Sequence, residues 1–161
     1  MVSCVFPGSF DPVTKGHLDL ISRASGMFDH VTVAIMNNIH KSGTIPIDKR
    51  IDMLRRVCKP YRNVSIDYWD GLLADYMKVN HERIVLRGIR GTSEFDLEQQ
   101  VWSTNRMLNN DMDIVFMLSA PEMAGISSSA VREIASFGGN INAFVPDELT
   151  EEIISCLSKK G

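Results

Sequence analysis

The chain has 161 residues, 44% of them apolar and 23% charged, the make-up of one globular domain rather than a disordered or fibrous chain. A formal charge of -3 argues against a nucleic-acid binder, and no apolar run approaches the ~20 residues of a membrane span. Cys4, Cys58 and Cys156 are odd in number, far apart and free of C-x-x-C spacing, so they read as reduced, buried thiols; with no signal-peptide pattern at the N-terminus, the expected compartment is the cytoplasm.

Short β-branched runs alternate with amphipathic stretches along the chain. The first strand is predicted over residues 2–6, followed by a Gly/Pro-rich loop (7–15) and a helix with Leu18, Ile21, Ala24 and Phe28 on one face. A second strand (31–36), the loop 37–44 and a helix facing inward through Ile47, Ile51, Leu54 and Val57 come next. Strand 63–67, the loop 70–71 and helix 72–79 repeat the unit, and strand 83–87 leads through the loop 88–92 to a long helix, 94–108, with Ser93 as its expected N-cap. Strand 113–118 and the loop 119–127 precede helices at 128–137 and 147–157, the last starting just after Pro146. The second, fourth and fifth strands are almost continuously apolar, as strands covered on both faces are. The pattern implies an α/β fold: a Rossmann-like open parallel five-stranded sheet with helices on both faces, in one domain. Ligands then bind beyond the C-terminal ends of the strands.

Four groups of residues stand at those ends. The string Pro7-Gly8-Ser9-Phe10-Asp11-Pro12-Val13-Thr14-Lys15-Gly16-His17 follows the first strand and opens the first helix. Gly8 permits a tight turn or a close approach, Gly16 lets an anion reach the helix N-terminus, and His17 can donate a hydrogen bond to phosphate. A lone histidine in a loop would be incidental, but the T-x-G-H context at a helix start gives this one a purpose. Neither G-x-x-x-x-G-K-[ST] nor G-x-G-x-x-G is present, so this is a different kind of nucleotide loop. Arg87-Gly88-Ile89-Arg90 places two arginines where the fourth strand ends, suited to bidentate phosphate recognition; the bland alternative is a solvated basic loop. Ile126-Ser127-Ser128-Ser129 enters a helix, where one serine serves as N-cap and the adjacent backbone N–H groups suit an anion. Lys41, in the polar loop after the second strand, reads alone as a solvated lysine. Asp11 reads as a turn cap, Trp69 and Trp102 as core or interface residues, and no metal-ligand spacing appears.

Together with Glu94-Phe95-Asp96, Glu98 and Asn105-Arg106, these motifs resemble bacterial phosphopantetheine adenylyltransferases nearly end to end, in order and in spacing. T-x-G-H alone marks the wider nucleotidylyltransferase superfamily, whereas R-G-[IL]-R, an acidic-Phe pair and I-S-S-S are much narrower. The resemblance implies transfer of the adenylyl group of ATP to 4′-phosphopantetheine, giving dephospho-coenzyme A and pyrophosphate in coenzyme A synthesis. It further implies a cytoplasmic, magnesium-dependent homohexamer with coenzyme A as a feedback ligand. Carried over by position, Ser9, Lys41, Leu73 and Arg87 contact phosphopantetheine. Ser9, Phe10, His17, Gly88, Ile89, Arg90, Glu98, Met123, Ala124, Gly125, Ile126, Ser127, Ser128 and Ser129 contact ATP, and His17 is catalytic. The chain departs from the family at Leu97, where many members have tyrosine, and at Pro121-Glu122-Met123-Ala124-Gly125, where many are aromatic-rich; contacts at 123–125 would come from backbone. No magnesium ligand is assigned.

The chemistry implied needs little general-base help, because a phosphate monoester loses its second proton near pH ~6. The obstacle is repulsion between two polyanions. The expected roles are therefore those of cations: His17 on the α-phosphate, Lys41 and Arg87 on the acceptor phosphate, and Arg90 with magnesium on the leaving group. A sister nucleotidylyltransferase with another acceptor, or a non-catalytic nucleotide sensor, would keep the same fold.

Overall fold

The computed structural model describes residues 1–36 and 43–158. Five parallel strands, β1 (Ser3–Gly8), β2 (His30–Met36), β3 (Val64–Trp69), β4 (Ile84–Ile89) and β5 (Asp113–Leu118), form one sheet in the order β3-β2-β1-β4-β5. The order reverses between β1 and β4, which opens a crevice at their C-terminal ends. Helices α1 (Lys15–Ser25), α2 (Ile47–Cys58), α3 (Leu73–Val79), α4 (Thr92–Leu108), α5 (Ser128–Ser136) and α6 (Thr150–Ser158) follow, with short 3₁₀ turns at Pro121–Met123 and Asp147–Leu149.

Alternation along each strand divides the apolar side chains between two cores. Cys4 and Phe6, Val31, Val33 and Ile35, and Leu86 meet α1, α2, α5 and α6 on one face. Val5, Ala34 and Val85 meet Ala74, Tyr76 and Met77 of α3 on the other. The continuous apolar runs of β2 and β4 thus have the cause expected of them, burial on both sides. In contrast, β5 is an edge strand, and Val115 and Leu118 on it are exposed.

Several expectations shift: β1 runs on through Gly8 and β3 through Trp69, and the last expected helix divides into a 3₁₀ turn and α6. The fourth strand runs on through Arg87, Gly88 and Ile89, because the ladder to Phe116, Met117 and Leu118 continues to that point. Helix α4 begins at Thr92 with Gly91 at the N-cap and no side-chain cap, so Ser93 lies inside the helix rather than capping it. Cys4 and Cys58 are free and buried, and burial pushes their thiols up to about 12 and about 11, with Glu82 adding to the rise at Cys4. Cys156 is free but only half-buried, its Sγ 3.6 Å from Lys49 Nζ.

Candidate active site

The site begins at the turn from β1 into α1. Thr14 is the N-cap of α1: its Oγ1 accepts the N–H of His17 at 3.3 Å, and its own N–H donates to His17 Nδ1 at 3.0 Å. The reciprocal pair is a capping box in which histidine stands at the position usually held by Glu or Gln. Because Nδ1 accepts a hydrogen bond from the Thr14 N–H, the ring carries its own proton on Nε2. Burial, then the charges of Arg87 and Arg90, pushes the imidazole from 6.5 down to about 4, so at physiological pH His17 is a neutral ring and not the cation expected from the sequence. The ring packs at 4.9 Å between centroids against Phe10, whose backbone lies in the left-handed region at φ 45° and whose side chain is buried. Gly8 gives the ring room, since a Cβ there would sit 3.0 Å from the edge of the Phe10 ring. At Gly16, by contrast, a Cβ would meet nothing nearer than Thr14 Oγ1 at 3.6 Å, which leaves the start of α1 open.

Long-range supports hold this turn. Asp11 is buried, and its carboxylate accepts the N–H groups of Thr44 and Ile45 at 2.7 and 2.8 Å, so it ties two distant segments together rather than capping its own turn. Arg50, also buried, donates to the carbonyls of Ser9 at 2.8 Å and Ile45 at 2.9 Å. From α5, Arg132 donates to the Asp11 carbonyl and, at 3.2 Å, to Ser129 Oγ. The serine triplet divides its work: Ser127 caps α5 by accepting from Ala130 N, Ser128 donates to the Pro12 carbonyl at 2.7 Å, and Ser129 accepts from Arg132.

Both arginines at the end of β4 are engaged by α4. Arg87 donates Nε to Glu98 Oε2 at 2.8 Å, NH2 to Oε1, and NH1 to the Pro7 carbonyl at 2.7 Å. Arg90 is exposed and bonds Glu94 and, at 3.1 Å, the Ile126 carbonyl. Between them Gly88 faces α1 so closely that a Cβ would lie 2.2 Å from Leu20 Cδ1; its lack of a side chain is a condition of strand–helix packing beside His17.

Two cavities meet at this point. The first, of about 320 Å³, is lined by His17, Arg90, Glu94, Leu97, the N-terminus of α5 and the Ser9–Phe10 turn, so two helix N-termini converge on a cationic wall suited to phosphates. The second, of about 820 Å³, is more apolar, with Leu72, Leu73, Val101, Trp102 and Ile114 beside Asp70 and Asn105. Pro7, Gly8, Ser9, Arg87 and Glu98 line both. The two cavities thus join a cationic, polar wall to a mostly apolar one, with Ser9, Arg87 and Glu98 at the junction.

A cytidylyltransferase-like family model matches residues 5–134. A phosphopantetheine adenylyltransferase from Clostridium perfringens is 42% identical over 160 residues, 98% of each chain. The chain belongs to the phosphopantetheine adenylyltransferase family. Another family member, from Syntrophotalea carbinolica, is 44% identical over 88% of this chain and 86% of its own. The fold is shared more widely: a Plasmodium falciparum nicotinic acid mononucleotide adenylyltransferase, solved in complex with NaAD, superposes with a TM-score of 0.69 at 16% identity, covering 95% and 94% of the two chains.

Within this adenylyltransferase the residues singled out in the sequence are largely brought together. Ser9, Phe10, His17, Arg87, Gly88, Arg90, Glu98, Met123, Ile126, Ser127 and Ser128 line the first cavity, and Leu73 the second. Ile89 is buried in the sheet, while Ala124, Gly125 and Ser129 lie off the cavity walls. Lys41 is outside the described residues. Sequence reasoning gave no site role to Glu94, Leu97, Val101, Trp102 and Asn105, which with Glu98 form the inward stripe of α4. Their i, i+3, i+4 spacing is the signal in the sequence, masked because the stripe mixes acids with apolar residues and meets cavities rather than core. Trp102 sits on the wall of the second cavity; its Nε1 is buried without a hydrogen-bond partner among the described residues, and Arg106 lies over the ring at 5.6 Å.

Proposed function

We propose that this enzyme transfers the adenylyl group of ATP to the phosphate of 4′-phosphopantetheine, forming dephospho-coenzyme A and releasing pyrophosphate. The observation that carries the reading is the pair of adjoining cavities with Arg87 and Ser9 on their common wall. ATP occupies the first, with its α-phosphate near His17 and its β- and γ-phosphates toward Arg90 and the α5 N-terminus. The pantetheine arm lies in the second, Leu73 among its contacts, and the terminal phosphate reaches Arg87. An oxygen of that phosphate bonds to the α-phosphorus as the bond to the bridging oxygen breaks, and pyrophosphate takes the electron pair. The acceptor is already mostly a dianion at neutral pH, so no residue removes a proton. The protein supplies position and compensating charge: the neutral Nε2–H of His17 donates to the α-phosphate oxygen on which charge gathers, and Arg87 and Arg90 offset repulsion between the substrates. Lys41 is proposed to join Arg87 on the acceptor phosphate.

Magnesium is proposed to arrive with ATP, as part of the substrate. Among the described residues no group of three His, Cys, Asp or Glu side chains could hold a metal ion, and the carboxylates of Glu94 and Glu98 are taken by arginines. Coenzyme A, which contains the pantetheine arm, is proposed as a feedback ligand of the second cavity. A homohexamer is proposed too; exposed Phe95, Met107, Leu108, Val115 and Leu118 on α4 and β5 supply apolar surface for subunit contacts. No helix among the described residues is long and apolar enough to cross a membrane, and the cytoplasm is the proposed location. Incubation with ATP, magnesium and phosphopantetheine, read by mass spectrometry, should yield dephospho-coenzyme A. Absence of that product, with adenylylation of a different phosphorylated acceptor, would assign the enzyme to a sister reaction.

A further inference from the structure

The carboxylate of Glu94 spends both oxygens on one residue. Oε2 accepts the backbone N–H of Arg90 at 2.8 Å, while Oε1 accepts its Nε at 2.7 Å and also its NH2. Burial alone would raise the Glu94 carboxyl, yet the bonds and charge of Arg90 outweigh it and the net shift is downward, so the group is a carboxylate at neutral pH. Arg90 NH1 bonds the Ile126 carbonyl on the loop that leads into α5. The guanidinium, which is exposed and would otherwise sample many rotamers, is thereby tied to its own main chain on one edge and to the opposite wall of the ATP cavity on the other. One N–H on each of NH1 and NH2 remains for a ligand.

We infer that Glu94 is a positioning residue for Arg90: it aligns the guanidinium before ATP arrives, so that its remaining N–H groups meet the departing pyrophosphate without a search for the right rotamer. The inference rests on the placement of Arg90 on the ATP side proposed above. Glu94 does not act as a rival anion, because its Oε2 is anchored to the β4–α4 backbone and its Oε1 occupies the Nε edge, away from the ends left open.

The test is a double-mutant cycle of Glu94→Ala and Arg90→Ala in the full chain, with kcat and KM measured separately for ATP and phosphopantetheine. Arg90→Ala should lower kcat/KM for ATP by about tenfold or more, and Glu94→Ala by a comparable factor, with the KM of phosphopantetheine within about twofold. In the Arg90→Ala background, Glu94→Ala should cost less than about twofold. Equal losses in both backgrounds would overturn the inference and leave Glu94 as a support of the α4 start. A lower KM for ATP in Glu94→Ala would overturn it by showing competition. If Arg90→Ala leaves the ATP parameters unchanged, the ATP-side placement of Arg90 falls, and this role with it. Should Glu94→Ala fail to fold by its melting curve, Glu94→Gln, which keeps the shape and one accepting oxygen, should show the same coupling with a smaller loss.

Discussion

The main-chain N–H of Thr14 donates to Nδ1 of His17 across 3.0 Å, and this one bond settles which ring nitrogen carries the proton. A protonated Nδ1 would set two donors against each other, so the imidazole is a neutral Nε2–H donor. Its pKa is pushed down to about 4 by burial and by Arg87 and Arg90, so the donation to phosphate proposed for it involves no change in its own charge.

If that donor tightens as charge gathers on the α-phosphate, His17→Ala should lower kcat by about 10²–10³, the cost of deleting one such donor elsewhere. ATP binding by calorimetry should change far less, and the melting curve should exclude a fold change. A folded variant within about tenfold of wild-type turnover would show that His17 is a loop residue and no more.

The same neutral ring predicts two pH dependences. Its folded pKa, about 4, lies below the ordinary 6.5, so between these values the unfolded chain holds a proton that the folded one does not. His17 therefore contributes fully to stability above pH ~6.5, and that contribution is lost as the pH falls toward ~4. Between pH 7 and 5, the melting temperature of wild type should fall further than that of His17→Gln. The profiles of kcat/KM for phosphopantetheine should keep the same shape in the two, with an acid limb near pH ~6 set by the free acceptor phosphate. Profiles of different shape would mean that His17 titrates during turnover.

Arg87→Ala should weaken phosphopantetheine by about ten- to a hundredfold and ATP much less, since it removes a charge-assisted partner from the acceptor phosphate. The loss should appear in the KM or Kd of the acceptor. Equal weakening of both substrates would recast Arg87 as the strut that joins Pro7 to Glu98, the contacts it makes in the free enzyme.

Light scattering at micromolar protein and moderate salt should give six times the chain mass. Met107→Asp, on the exposed apolar face of α4, should shift the population toward smaller species without lowering the melting temperature of the isolated subunit fold. A wild-type mass near that of one chain would refute the hexamer.

Much of this was legible in one dimension because it depends on neighbours in sequence. The five βα units follow from hydrophobic period, and the turn after β1 follows from its glycines and the T-x-G-H string at a helix start; that Thr14 caps the helix is shown by the structure. Such features are decided by local backbone geometry, and the structure keeps them. Element ends moved where a partner strand intervened: β4 continues through Gly88 and Ile89 because β5 supplies a ladder to that point. The use of the polar side chains was decided by contacts across the chain. Asp11 reads in the sequence as a turn cap and instead receives the N–H groups of residues 44 and 45; Gly88, an ATP contact by resemblance, is also the space into which Leu20 packs. The pairing of Glu94 with Arg90 and of Glu98 with Arg87, and the meeting of two cavities beside Ser9, exist only once α4 lies across the ends of the sheet. Sequence by itself determined the elements and the chemistry they carry, through short-range hydrogen bonding and apolar periodicity. Tertiary structure alone decided which carboxylate holds which arginine and where two substrates can meet, because those distances depend on the packing of segments that the chain does not join.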